Sequence, residues 1–142
     1  MEKITRGIIS NKIKEWRRIL NIEKIWKIDF RIANSALDMP TDHFDSVACI
    51  QVDLKYFYAF IEFNLSELNE KNIDSTIAHE LTHILLEPLT AFAGAGAGNK
   101  YKDITLQLCE STVERLSLGL LELYNELQVS KNKQLSTVKS KK

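Results

Sequence analysis

Two histidines four positions apart, with a glutamate directly after the first, are the residues of this chain best suited to chemistry. They form the segment His79-Glu80-Leu81-Thr82-His83, an H-E-x-x-H pattern, in a chain with three histidines in all. Because four residues make about one helical turn, both imidazoles project from one helix face and can bind a single divalent ion. Glu80 is then close enough to take a proton from water at that ion.

A third metal ligand has to come from elsewhere, because a catalytic zinc ion has three protein ligands and one open position for water. Leu86 and Leu89 occupy the positions at which a longer form of the motif continues with glycine and a third histidine. Glu87 shares the helical face but lies roughly 6 Å or more along the axis from an ion between the histidines. Glu110 and Glu114, one turn apart on a later helix, can both face the histidines.

The first half of the chain predicts a helix followed by a small sheet. Apolar residues at helical spacing predict an N-terminal amphipathic helix near residues 3–22, and alternation over Trp26–Ile32 predicts a strand. A loop over Asn34–Ser46 precedes two apolar runs, Val47–Val52 and Tyr56–Phe63, which predict a hairpin. The fold class is therefore α+β, with a three-stranded, mainly antiparallel sheet.

Two further helices must carry the histidines and the glutamates. The first is predicted from an N-cap at Asp74 or Ser75 to about Phe92, with Pro88 loosening its last turn. After a flexible glycine-rich connection over residues 94–98, the second is predicted over about 103–127. The predicted buried residues of the first helix are Ile77, Ala78, Leu81, Ile84 and Leu85. Those of the second are Ile104, Leu108, Val113, Leu116, Leu120 and Leu123.

Length and composition predict one domain with its own core over residues 1–130. Residues 131–142 are rich in Lys, Ser and Gln, and we expect a basic disordered tail there. No apolar run is long enough for a membrane span and the N-terminus lacks the apolar block of a signal peptide, so a cytoplasmic protein is expected. Cys49 and Cys109 are too few for a disulfide framework, and we expect two buried thiols.

The zero net charge hides an uneven distribution along the chain. Residues 1–31 carry nine Lys or Arg against four Asp or Glu, residues 32–130 carry five against fifteen, and the tail adds five lysines. An acidic middle that contains the H-E-x-x-H segment favours binding of a cation. The basic ends are expected to be solvated lysines, and nucleic-acid binding is not favoured because no arginine-aromatic pattern accompanies them.

The segments Ala78–Leu86 and Glu110–Leu116 resemble those of gluzincins of the thermolysin type. The wider likeness is to small metallopeptidases of phages and mobile elements, including the ImmA/IrrE type. The resemblance implies a zincin-like fold in which Glu110 is the third zinc ligand. It also implies that Glu114 hydrogen-bonds a zinc-binding histidine and fixes its tautomer. The chain departs from the family at position 114, which holds Glu in place of Asp.

The resemblance further implies hydrolysis of peptide bonds in a peptide or protein substrate. Zinc held by His79, His83 and Glu110 would activate water, with Glu80 as the general base. By analogy with zincins, an extended substrate would lie along the hairpin over residues 47–63.

Alternative interpretations remain for the same residues. The chain could be a non-catalytic, zinc-stabilised interaction module in which Glu80 is idle, and manganese or iron could replace zinc. His43 is a candidate for an additional ligand or transition-state donor, and Tyr101 is a candidate for an oxyanion donor. For both residues we expect an ordinary surface position.

Overall fold

Three helices and one small sheet form the fold in a computed structural model, which describes residues 4–40, 46–96 and 98–139. A short 3-10 turn, Ala36–Asp38, follows the first strand. The α+β class predicted from the sequence is confirmed. In chain order the elements are α1 (Arg6–Ile19), β1 (Lys27–Ala33), β2 (Ala48–Asp53), β3 (Tyr58–Asn64), α2 (Ile73–Gly96) and α3 (Gly98–Lys139).

The sheet has the strand order β1-β3-β2, so β3 is central and β2 is an edge strand. β2 and β3 form the predicted antiparallel hairpin, with Ala48 opposite Phe63 and Asp53 opposite Tyr58. β1 pairs with β3 in parallel, so the sheet is mixed and the expectation of a mainly antiparallel sheet is wrong for one of its two pairings. The chain between β1 and β3 is long and includes β2, and this allows the pairing because parallel neighbours require a long connection.

The N-terminal helix packs against α2 and shares its apolar core with the sheet. Thr5 caps it, since its side-chain oxygen accepts a hydrogen bond from the backbone N–H of Ile8 at 3.3 Å. Ile9, Ile13 and Trp16 are buried in the same apolar cluster as the inward-facing residues of β3. The helix is shorter at both ends than the predicted range of 3–22.

The helix that carries the histidines buries the apolar face of its N-terminal half in the core. Of its predicted buried residues, Leu85 is 42% exposed and the others are buried, so that prediction is largely confirmed. Neither Asp74 nor Ser75 caps the helix, which begins at Ile73. The carboxylate of Asp74 instead accepts hydrogen bonds from Lys12 Nζ at 2.9 Å and Trp16 Nε1 at 3.0 Å, which join α1 to α2. The helix continues through Pro88 to Gly96.

The last helix is longer than predicted at both ends. It begins at Gly98, so the helices extend into the segment 94–98 where a flexible connection is expected. Alanines alternate with the glycines there, and alanine is the strongest helix former. The helix also continues to Lys139, into the segment for which the sequence analysis expects a basic disordered tail. This segment is polar but contains neither Gly nor Pro to end the helix.

The face of α3 that meets the rest of the molecule differs from the predicted one. Val113 is buried as predicted and Leu120 is half-buried. The other buried positions are Ser117 and Tyr124, whose ring lies 5.1 Å from that of Trp16. The remaining predicted residues are largely exposed, and these are Ile104, Leu108, Leu116 and Leu123. Across the described residues, no helix combines the length and the apolar character that crossing a bilayer requires.

Candidate metal centre

The two long helices, α2 and α3, pack against each other and bring the histidines to the glutamates. His79 and His83 lie one turn apart on α2, and their ring centroids are 5.1 Å apart. Their side chains are 27% and 20% exposed, so the imidazoles are reachable from solvent while the opposite face of α2 is in the core. The structure therefore places both rings on one accessible face, as the sequence predicts.

Glu110 on α3 reaches both imidazoles. Its Oε2 atom lies 3.9 Å from Nε2 of His79 and 3.7 Å from Nε2 of His83. One donor atom from each of the three residues lies within 4.8 Å of the others. A tetrahedral zinc site with bonds of about 2.0–2.1 Å places its donors roughly 3.3 Å apart, so a small inward movement would complete the coordination. His79, His83 and Glu110 thus form a group that can hold a metal ion.

Glu114 contacts the other nitrogen of His79. Its Oε2 atom lies 3.3 Å from Nδ1 of that ring. A carboxylate in this position favours the tautomer with the proton on Nδ1, which leaves the lone pair of Nε2 directed toward Glu110. The extra methylene of Glu relative to Asp does not prevent the contact. This position matches the supporting role that the resemblance implies for Glu114.

The pKa of His83 is lowered from its ordinary value. Burial of the ring is the main cause, since it disfavours the charged imidazolium, and nearby His79 acts in the same direction. The negative charge of Glu110 opposes both effects. A lowered pKa keeps His83 neutral near pH 7, and neutral imidazole is the form that binds a metal.

Glu80 is a buried carboxyl group beside the two histidines. The residue is 6% exposed, and burial followed by the charge of Glu110 raises its pKa to about 8. Glu80 lines both clefts that open next to the histidines. A carboxyl group with a pKa near neutrality in such a cleft has the character of a general acid or base.

The larger cleft, of about 410 Å³, separates the edge strand from the metal-binding group. Ala48, Ile50 and Val52 of β2 line one side, and the histidines, Glu80 and Glu110 line the other. Among the residues that the structure describes, β2 pairs with β3 on one side and is an edge strand of the sheet. The site thus combines a candidate metal centre with a strand edge.

The second cleft, of about 330 Å³, is lined by hydroxyl groups that the sequence analysis did not identify. Ser75, Thr76 and Ser117 line it together with His79 and Glu114. Ser75 and Thr76 precede His79 by four and three residues, which places them one turn away on the same helical face. Their spacing from His79 alone predicts that these hydroxyl groups lie beside the histidines.

The other residues considered in the sequence analysis lie outside the donor group or outside the described part of the chain. Glu87 lines the larger cleft without belonging to the three-residue donor group, and burial raises its pKa. His43 lies outside the described residues. Tyr101 falls within α3, but its side chain lies outside the part that the structure describes. Cys49 is buried, as expected, and Cys109 is half-buried.

Comparisons with known proteins add no relative. No protein-family model matches the chain, and neither the curated proteins nor the solved structures contain a match to it. The resemblance to gluzincins therefore depends on the motif residues of the sequence alone.

Proposed function

We propose that the protein is a zincin-like, zinc-dependent metallopeptidase. The observation that carries the proposal is the convergence of His79, His83 and Glu110 on one point, with the buried carboxyl group of Glu80 beside it. Two imidazoles and one carboxylate, with a position left open, are a ligand set of catalytic zinc sites. When bound, zinc would acidify a water molecule and polarise a scissile carbonyl group.

The chain's own residues account for the proton transfers of peptide hydrolysis. Glu80 accepts a proton from the attacking water and later donates it to the leaving amine. A divalent cation close to this carboxyl group favours its ionised form, which offsets the effect of burial on its pKa. Glu114 contacts Nδ1 of His79 and orients the ring so that Nε2 is directed into the site.

The edge strand supplies a place for the substrate. An extended peptide that adds to β2 would lie across the larger cleft and pass in front of Glu80. Backbone hydrogen bonds to an edge strand give affinity without selecting particular side chains. This arrangement favours a peptide or an unfolded protein segment as the substrate.

A comparison of two glutamate variants tests the proposal. Glu80→Gln should keep zinc at the wild-type stoichiometry and lose at least about a hundredfold of the cleavage rate, because general-base catalysis contributes roughly 10²–10⁴-fold. Glu87→Gln is the matched control, since it removes another carboxyl group from the same cleft and should retain activity. Zinc is measured by elemental analysis, and cleavage with unfolded casein and a peptide library.

The outcomes separate the enzyme from a binding module. Bound zinc without cleavage by wild-type protein would contradict the catalytic proposal and favour a zinc-stabilised interaction module. Wild-type protein that binds no divalent metal would contradict both. Preferential uptake of iron or manganese would overturn the assignment of zinc.

A further inference from the structure

One face of α3 carries leucines that the rest of the described chain leaves largely exposed. Leu116, Leu123 and Leu127 follow one another at helical spacing, so they lie on one side of the helix. Their exposed fractions are 46%, 59% and 57%, and half-buried Leu120 borders them. We call these four residues the leucine stripe. An exposed apolar stripe of this kind is typical of a surface that binds another protein.

A glycine interrupts the helix within the leucine stripe. Gly119 follows Leu116 by three residues and precedes Leu123 by four, so it lies on the same face. Leaving aside the adjoining backbone of α3 itself, a Cβ atom added at Gly119 would meet no atom of the described residues within 4 Å. Packing within the chain therefore does not require glycine, which is unfavourable inside a helix. The absence of a side chain does allow another backbone to approach closely.

We propose that two copies of this chain pair through the leucine stripe, with their α3 helices antiparallel and crossing at Gly119. A two-fold axis between positions 119 and 120 places Leu116 of one copy opposite Leu123 of the other. The interface is then self-complementary, as a symmetric dimer requires. Each glycine lies at the point where the two helices are closest.

The charges beside the leucine stripe match this antiparallel arrangement. Arg115, Glu122 and Glu126 lie along one flank of the stripe, as their helical spacing dictates. The same two-fold axis brings Arg115 of one copy between Glu122 and Glu126 of the other. In a parallel pair the two-fold axis runs along the helices, so this flank of one copy meets the opposite flank of the other, and Arg115 does not reach Glu122 or Glu126. The charge pattern therefore selects a second, antiparallel copy as the partner.

The proposed interface is continuous with an apolar groove and leaves the metal centre open. Leu86, Leu89 and Leu108 line a groove of about 240 Å³ between α2 and α3, together with Thr112. In the antiparallel pair, Leu127 of the other copy lies opposite Thr112 and next to this groove. Around α3, Glu110 lies about 120° and Glu114 about 160° from Leu116, so the metal centre and the leucine stripe are on different sides of the helix.

The mass of the full chain in solution tests the proposal. Wild-type protein should sediment with twice the chain mass of 16.3 kDa and dissociate on dilution. Leu123→Lys should give the monomer mass. Val129→Lys is the matched control, because Val129 is 53% exposed on another side of the same helix and should leave the dimer intact. Circular dichroism checks that both variants keep the wild-type helix content.

Charge reversal then tests the antiparallel register. Arg115→Glu should weaken self-association several-fold, and adding Glu122→Arg and Glu126→Arg to the same chain should restore it. A parallel pair would show no such rescue. Gly119→Ala should weaken self-association while the monomer becomes more resistant to heat.

Four results would overturn the proposal. They are a wild-type monomer at every concentration measured, a Leu123→Lys dimer, equal loss of the dimer in the Val129→Lys control, and charge variants without rescue. A Gly119→Ala protein with greater heat resistance and unchanged self-association would exclude the crossing at this glycine.

Discussion

The helix that carries the histidines and the helix that carries the glutamates are held by the core to different extents. On α2, Ile77 and Leu81 are fully buried on the face opposite the histidines. On α3, the buried positions form a narrow line around Val113 and Tyr124, and the side chain of Glu110 is 63% exposed. The comparison indicates that the core fixes the histidine half of the metal centre. The glutamate half depends on the contact between two helices.

The largest expected effect comes from removing a core contact of α2. Leu81→Ala should lower the free energy of unfolding by about 2–5 kcal/mol, because it leaves a cavity beneath the histidines. Leu106→Ala makes the same chemical change on α3, where the side chain is 47% exposed, and should alter stability by no more than about 0.5 kcal/mol. Urea denaturation of the metal-free protein measures both. Equal losses would contradict the difference between the helices.

Bound zinc should reduce the difference in local stability between α2 and α3, because Glu110 would anchor α3 to the metal. When free zinc is a hundredfold above the dissociation constant, a part of the fold that must be intact for zinc to bind gains about 2.7 kcal/mol of stability against local unfolding. Amide hydrogen exchange should therefore slow by up to about a hundredfold around Glu110 and Glu114. It should slow less around Ile77 and Leu81, which the core already protects. In Glu110→Gln the slowing on α3 should be lost, and equal slowing on both helices would refute the comparison.

The same difference explains what the sequence could predict about the helices. The apolar residues of α2 form one face, so their periodicity predicted the buried side of that helix almost completely. On α3, leucines occur on several faces, including Leu106, Leu118 and Leu123. Periodicity groups such residues by face but does not determine which face meets α2 and α1. That choice depends on contacts distant in sequence, and the predicted stripe was therefore mostly wrong.

The candidate site shows the same contrast between residues related by one helix and residues brought together by helix packing. The positions of His79, Glu80 and His83 follow from one local motif, because a single helical turn fixes their relation. The approach of Glu110 depends on how two helices pack, and only the resemblance to gluzincins singled it out. The parallel pairing of β1 with β3 is likewise non-local and was not predicted. The sequence thus predicts the relation of residues within one helical turn, but it does not predict how helices pack or which strands pair.

The smallest expected effect is a loss of zinc affinity when the carboxylate of Glu114 on α3, which contacts His79, is removed. Glu114→Gln replaces a charged acceptor 3.3 Å from Nδ1 with a neutral amide of similar shape. Loss of such a supporting partner weakens metal binding by about 10–100-fold. Zinc affinity measured by competition with a chelator should fall within this range, and less than in Glu110→Gln. Glu122→Gln removes the same charge from an exposed position on α3 and should leave the affinity unchanged. A Glu114→Gln protein with wild-type affinity would show that the core-held helix alone sets the orientation of His79.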